Sequence, residues 1–453
     1  MIYEFTIENF RSFGAAQTLS LIKGKERKKD DNLIAGPTGF PKAVGAAAIF
    51  GHNGSGKSNF FLALNTFWQT IMFSATSGNA GSTIPGIVPH RLDSTWDGKP
   101  TRFEVVFSMG DRVFRYGFSA LQQKITSETL VEELSSGRQR HLFKREISTQ
   151  GDAANVEFSE EFDRVAQDNV PKLTRDNALI LSSGANLNVP LLRDIHSVIQ
   201  RGVVLVSFSP FGPTPGVLAK SILEDTHFRG QLMTVLRDAD IGITGLRAQS
   251  PPEPGPDELE RLRQFFSPQH GDRAGEVAAQ VAKQGQQVAI FSEHIRADGG
   301  RIEFDWNDES QGTRLFAQLF FLFLQALRQG ATVIIDEFGA NIHPLLAERL
   351  VELFQNPANN PNGAQLIFTT HYSQLMTPAL FRKDQIWITE KTPQGQTELF
   401  NLSDFRGEKY TRSSEAFEKN YLAGRYRGVG HFGPSLSGVP IDIAEKDQDG
   451  AKQ

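Results

Sequence analysis

No cysteine occurs in the 453-residue sequence, which excludes disulfides and thiolate metal ligation and fits a reducing compartment. A run long enough to cross a bilayer is missing too. The longest apolar stretch, Leu315 to Leu327 (LFAQLFFLFLQAL), falls well short of the ~20 residues a spanning helix needs and reads as a buried helix. The opening MIYEFTIENF carries Glu4 and Glu8, so it reads as a strand and lacks the basic and apolar regions of a secretory signal. The ten histidines show no HExxH-type metal spacing. A net charge of −5 makes no global electrostatic case for nucleic acid and leaves only a local basic patch as a route to it. Heptads sustained over several turns are absent, which argues against long coiled-coil arms. The expectation is a cytoplasmic protein with no membrane contact.

What is present is an ordinary globular balance, 39% hydrophobic and 22% charged, in a length that suits roughly one to three domains. Ile2 to Ile7 alternates as a strand, with a second strand near Gln17 to Ile22. Ala43 to Phe50 (AVGAAAIF) is a short buried strand leading into a glycine-rich loop, and Ser58 to Ser74 has the apolar spacing of a helix. Ser74 to Pro89 is rich in Gly, Ser and Thr and reads as a loop. Arg102 to Ser108 and Arg112 to Ser119 alternate around Met109-Gly110-Asp111, a hairpin signal. Val203 to Phe208, Ala331 to Ile335, Gln365 to Thr369 and Gln385 to Glu390 are further strands. Between about Pro210 and Gly300, helical stretches such as Ala219 to Arg237 and Asp257 to Phe266 flank a proline-rich break at Ser250 to Asp257. These spacings predict an α/β chain with residues 1–209 and 301–433 forming one unit, an inserted mainly helical lobe at 210–300, and a polar tail at 434–453.

The loop is Gly51-His52-Asn53-Gly54-Ser55-Gly56-Lys57-Ser58, a full GxxxxGK[ST] pattern between strand and helix. Its glycines let successive N–H groups face the phosphates of ATP, Lys57 brings charge to the β- and γ-phosphates, and Ser58 offers a hydroxyl to Mg²⁺. An apolar strand then ends in Asp336 and Glu337. In the company of a phosphate loop, Asp336 is expected to serve the Mg²⁺ shell and Glu337 to polarise the attacking water. Taken alone, such an acidic pair would suit a helix cap or a turn equally well. Thr369-Thr370-His371 closes the next strand, in the right order for His371 to sense the terminal phosphate. Ser310-Gln311-Gly312-Thr313 opens the apolar helix and makes an anion site from N–H groups and helix dipole, which is also what simple capping by Ser310 would do.

With these motifs assembled, the sequence resembles the ABC-type ATPases of the SMC/RecF kind, and among them the AAA-labelled bacterial ATPases of the AbiL/RloA and OLD-like group. The likeness runs from IENFRSF (Ile7 to Phe13) through RFEVVFSMGDRVFRYGFSA (Arg102 to Ala120), DNALILSSGANLN (Asp176 to Asn188), ESQGTRLF (Glu309 to Phe316), VIIDEFGANIHP (Val333 to Pro344), TTHYSQL (Thr369 to Leu375) and RKDQIWITEK (Arg382 to Lys391) to YLAGRY (Tyr421 to Tyr426). It implies a P-loop NTPase fold of ABC-ATPase type and a homodimer or higher homo-oligomer that sandwiches ATP. Ser310 to Thr313 would correspond to the signature reaching the partner's γ-phosphate, Gly339 to His343 would lie on a D-loop-like segment at the seam, and Arg11 matches a basic position near the nucleotide. The SQGT signature departs from the transporter LSGGQ, and no Q-loop glutamine is identifiable.

OLD-like relatives carry a TOPRIM nuclease after the ATPase, but only about sixty residues follow Glu390, too few for such a domain. The resemblance therefore implies an ATPase that controls a separately encoded nuclease or toxin in phage defence. A RecF-type ATPase that clamps DNA directly is the alternative. A scaffold with decayed catalysis is disfavoured, because Lys57, Asp336, Glu337 and His371 are all in place.

Overall fold

A computed structural model describes residues 1–26, 29–147, 155–206, 215–239, 242–250, 255–285, 288–405 and 416–429. At its centre the strands Val203–Val206, Thr332–Ile335, Gln365–Thr369, Ala46–Phe50 and Ile386–Lys391 lie parallel in that spatial order, and Thr397–Asn401 adds an antiparallel edge. Buried strands with apolar residues on both faces are what a helix-covered parallel sheet requires. The two-residue period divides the strands between two cores. Ala47, Ile49, Ile334 and Ile367 pack with Phe60, Leu64, Phe67 and Ile71 of the helix Lys57–Phe73. Ala46, Ala48, Phe50, Val333, Ile335 and Phe368 pack on the other side with Phe316, Phe320 and Phe323 of the helix Gln311–Gln329 and with Leu350 and Phe354 of the helix Pro344–Gln355. The expected α/β fold with a parallel sheet is the one observed.

A second, antiparallel sheet covers the far side of the Lys57–Phe73 helix. Its order is Asn155–Phe158, Gln139–Glu146, Lys124–Glu133, Arg112–Leu121, Thr101–Met109, Ile2–Glu8, Gln17–Ser20, and the hairpin signal at Gly110 accounts for its central pair. Phe5 meets Phe60 and Phe67 edge-on at ring distances of 6.0 and 5.5 Å, and Phe67 stacks on Phe118 at 5.7 Å. The phosphate-loop helix is thus gripped between two sheets.

The lobe read as mainly helical does hold the helices Pro215–Glu224, Thr226–Asp238, Pro256–His270 and Ala274–Gly285. Two strands within it, Gly245–Gln249 and Ala289–Ile295, form a three-stranded antiparallel sheet with Arg301–Asp305, which lies wholly beyond the expected boundary at residue 300. The Arg301–Asp305 strand alternates apolar and charged residues but is exposed throughout. The Ala43 to Phe50 run divides in two: Ala43–Val44 pairs with Leu33–Ile34, and only Ala46–Phe50 joins the central sheet. Ser207 and Phe208, residues 251–254 of the proline-rich break, and the polar tail lie outside the described residues.

Candidate functional site

Gly51 to Gly56 forms the loop between the central strand and its helix, with Gly54 and Gly56 at φ 80° and 113°. At Gly56 this backbone is one that side chains rarely adopt, and a Cβ there would also collide with Thr397. Lys57 is 4% exposed and its Nζ donates to the carbonyls of Gly51 at 2.7 Å and His52 at 3.0 Å. Ser58 is exposed in the first helical turn, as are Asn53 and Gly54 in the loop. Ser55 is buried, its hydroxyl 2.7 Å from that of Thr389. The His52 N–H donates to the Gly428 carbonyl at 2.8 Å, and its Nδ1 lies 2.6 Å from the Asn53 carbonyl.

Asp336 and Glu337 leave the neighbouring strand end. Thr369 organises both: its hydroxyl donates to Asp336 Oδ1 at 2.5 Å and accepts the Glu337 N–H at 2.8 Å. Glu337 sits at φ 57°, in the left-handed region, a conformation that costs free energy and persists where neighbours over-determine it. Its side chain is exposed and Asp336 is half-buried. His371 follows directly, after Thr370 has donated its hydroxyl to the Phe338 carbonyl at 2.8 Å. Burial lowers the Lys57 pKa to about 8, against the opposing pull of Asp336 and Glu337. Desolvation, then the Lys57 ammonium, lower that of His371 while both carboxylates oppose the shift. Lys57, Asp336, Glu337 and His371 therefore share one electrostatic site.

Ser310 to Thr313 is placed differently. Ser310 caps its helix, accepting the Thr313 N–H at 3.0 Å, and its hydroxyl lies 2.8 Å from that of Thr313. Gln311 is exposed and Gly312 half-buried. Among the described residues, no hydrogen bond or ion pair joins these four to the phosphate loop of the same chain. Gly312 instead abuts the turn after Glu337, where a Cβ would stand 2.7 Å from the Asn341 carbonyl.

Arg11 is exposed at φ 51°. Its N–H donates to the Val88 carbonyl and its own carbonyl lies against His90 Nδ1, both at 2.8 Å. The next residue ties this loop to the site: Ser12 Oγ accepts from Asn59 at 2.8 Å, and Thr397 Oγ1 lies 2.7 Å from it and 2.9 Å from the Ser55 carbonyl. Thr369, Thr397, Ser12 and the Tyr421–Gly428 segment were not singled out as site residues in the sequence. A threonine ending the strand before His371 was the one available signal.

Among the described residues no group of three or more His, Asp or Glu could hold a metal. Mg²⁺ carried by a nucleotide needs no such cage, since it keeps waters and phosphate oxygens and takes one or two protein ligands. The Ser58 hydroxyl and the Asp336 carboxylate fit that requirement.

The family model described as "AAA domain, putative AbiEii toxin, Type IV TA system" matches residues 46–377, well over half of the sequence. The chain belongs to this AAA-domain family. The AAA-domain match contains the phosphate loop, Ser310 to Thr313, the acidic pair and His371, whereas Arg11 and Gly428 lie outside it. Among solved structures, the recombination mediator protein RecF-ATP in the RecFOR pathway aligns at 13% identity and a TM-score of 0.36, covering 88% of this chain and 97% of that one. The RecF-ATPrS structure aligns at 12% and 0.32, covering 88% and 98%. No curated protein matches the sequence. No helix of the described residues is long and apolar enough to cross a membrane.

Proposed function

We propose that this protein binds and hydrolyses ATP as an ABC-type subunit of the AbiL/RloA and OLD-like group, acting as a homodimer that shares nucleotide between copies. The observation that carries this reading is the single electrostatic site of Lys57, Asp336, Glu337 and His371. It supplies a cation for phosphate, a carboxylate to join the Ser58 hydroxyl at Mg²⁺, a candidate base and a γ-phosphate sensor. The position of Ser310 to Thr313, turned to Asn341 and not bonded to its own phosphate loop, supports a role at the partner's nucleotide. Arg11 stands on the loop buttressed by Ser12 and would meet the nucleotide from that side.

The physiological role in this reading is regulation of a separately encoded nuclease or toxin during phage defence. The toxin–antitoxin wording of the family description supports such a setting. The same wording favours a second reading, in which this chain is itself the toxin. Expression with and without the neighbouring gene, followed by phage challenge and pull-down, separates the two. Protection that needs both genes, with a recovered partner, supports the regulator. Growth arrest by this chain alone supports the toxin, and tight salt-dependent DNA binding with neither effect would favour a RecF-like clamp.

A further inference from the structure

Glu309 stands immediately before the signature cap Ser310, yet its carboxylate is turned toward the lobe. Its side chain is 10% exposed. One oxygen, Oε1, takes both available donors: His294 Nε2 at 2.6 Å and the Ser292 hydroxyl. Ser292 is fully buried. Both donors sit two residues apart on Ala289–Ile295, the middle strand of the lobe sheet, so they share one face. The register places Ser292 between Leu246 and Phe304, and the His294 ring packs edge-on against Phe304 at 5.3 Å. The carboxylate therefore reports the position of the whole sheet.

On its other side the signature presses on the acidic turn. Gly312 approaches the Asn341 carbonyl so closely that a Cβ would lie 2.7 Å from it. Asn341, Gly339 and Glu337 all have positive φ, at 65°, 95° and 57°, and the Glu337 N–H is held by Thr369 at 2.8 Å. A turn with three such residues has few ways to give when its neighbour moves. The path runs from His294 and Ser292 to Glu309 by hydrogen bonds, along the chain to Gly312, across its close approach to Asn341, and along the turn back to Glu337.

We propose that Glu309 is a positioning residue that couples the three-stranded sheet of the lobe to the signature and to the Glu337 turn, so that whatever shifts the lobe sets the hydrolysis rate. This rests on reading Ser310 to Thr313 as a nucleotide-facing signature. The coupling acts through a charge-assisted hydrogen bond, which is directional and strong where water is excluded. It leaves the phosphate loop untouched, so it separates turnover from ATP affinity. A purely structural Glu309 would instead lower stability, affinity and turnover together.

The test uses full-length protein and measures ATP affinity by fluorescent-nucleotide titration, steady-state turnover and melting temperature. Glu309→Ala and His294→Ala are expected to keep ATP affinity and lower turnover about tenfold, the worth of a lost charge-assisted hydrogen bond. His294→Gln keeps an N–H donor and is expected to recover part of the rate. Should Glu309→Ala fail to fold, the two His294 variants carry the same comparison. Wild-type turnover in Glu309→Ala, alongside a dead Ser310→Arg, overturns the coupling and leaves the signature reading intact. Wild-type turnover in Ser310→Arg as well removes the signature reading and the coupling with it. Affinity and turnover falling in step with the melting temperature also overturn it.

Discussion

Thr369 donates its hydroxyl to Asp336 at 2.5 Å while accepting the Glu337 N–H on the same oxygen at 2.8 Å. One strand-end threonine thereby orients the carboxylate suited to Mg²⁺ and anchors the strained backbone of the candidate base. Thr369→Val keeps the shape and removes both bonds. It is expected to cost about 1–3 kcal/mol in stability, from the Glu337 N–H left without a partner. A higher Mg²⁺ concentration should also be needed for half-maximal ATPase. Thr369→Ser should behave as wild type. A Val variant with unchanged melting temperature and Mg²⁺ dependence would remove this role.

Lys57 gives ATP binding a pH dependence. Its pKa is lowered to about 8, and the phosphates bind the ammonium form. As pH rises through 8 the free protein loses that proton, so binding must restore it. Affinity should be level below pH 7 and fall on the alkaline side, approaching about tenfold per pH unit. Calorimetry in buffers of different ionisation enthalpy should show proton uptake on binding near pH 8. Proton release, or an affinity flat to pH 9, would contradict this. Lys57→Ala should abolish binding.

Glu337→Gln preserves the turn but gives up the proposed base. Turnover is expected to fall about 10²–10⁴-fold while ATP binding persists and the proposed dimer accumulates in ATP. Single-turnover assays with size-exclusion chromatography read both. Wild-type turnover would assign the base to another residue.

If Ser310 to Thr313 serves the partner's nucleotide as proposed, Ser310→Arg should leave binding by each chain intact and block hydrolysis. Mixed with Lys57→Ala protein, it should regain part of the ATPase activity. In the heterodimer one composite site carries both defects and the other carries neither. No rescue, once labelled heterodimers are shown to form, would count against a shared site.

The phosphate loop was legible in the linear sequence because its chemistry is local. Eight adjacent residues supply the backbone N–H groups, the cation and the hydroxyl, and the flanking strand and helix show their own periods. The strand ending in Asp336 and Glu337 and the buried helix Gln311–Gln329 were legible for the same reason. The spatial order of the parallel strands was not, because it depends on pairing between segments far apart in the chain. Only that order sets Thr369 beside Asp336 and brings both carboxylates into the field of Lys57. The lobe sheet was hidden because its strand Arg301–Asp305, although it alternates as RIEFD, is short and exposed, and its pairing with Ala289–Ile295 is a matter of tertiary structure. Glu309 shows the division within a single residue. Its place before the Ser310 cap is a matter of sequence, but its partners His294 and Ser292 were chosen by tertiary structure, since a buried carboxylate must find donors wherever the fold supplies them.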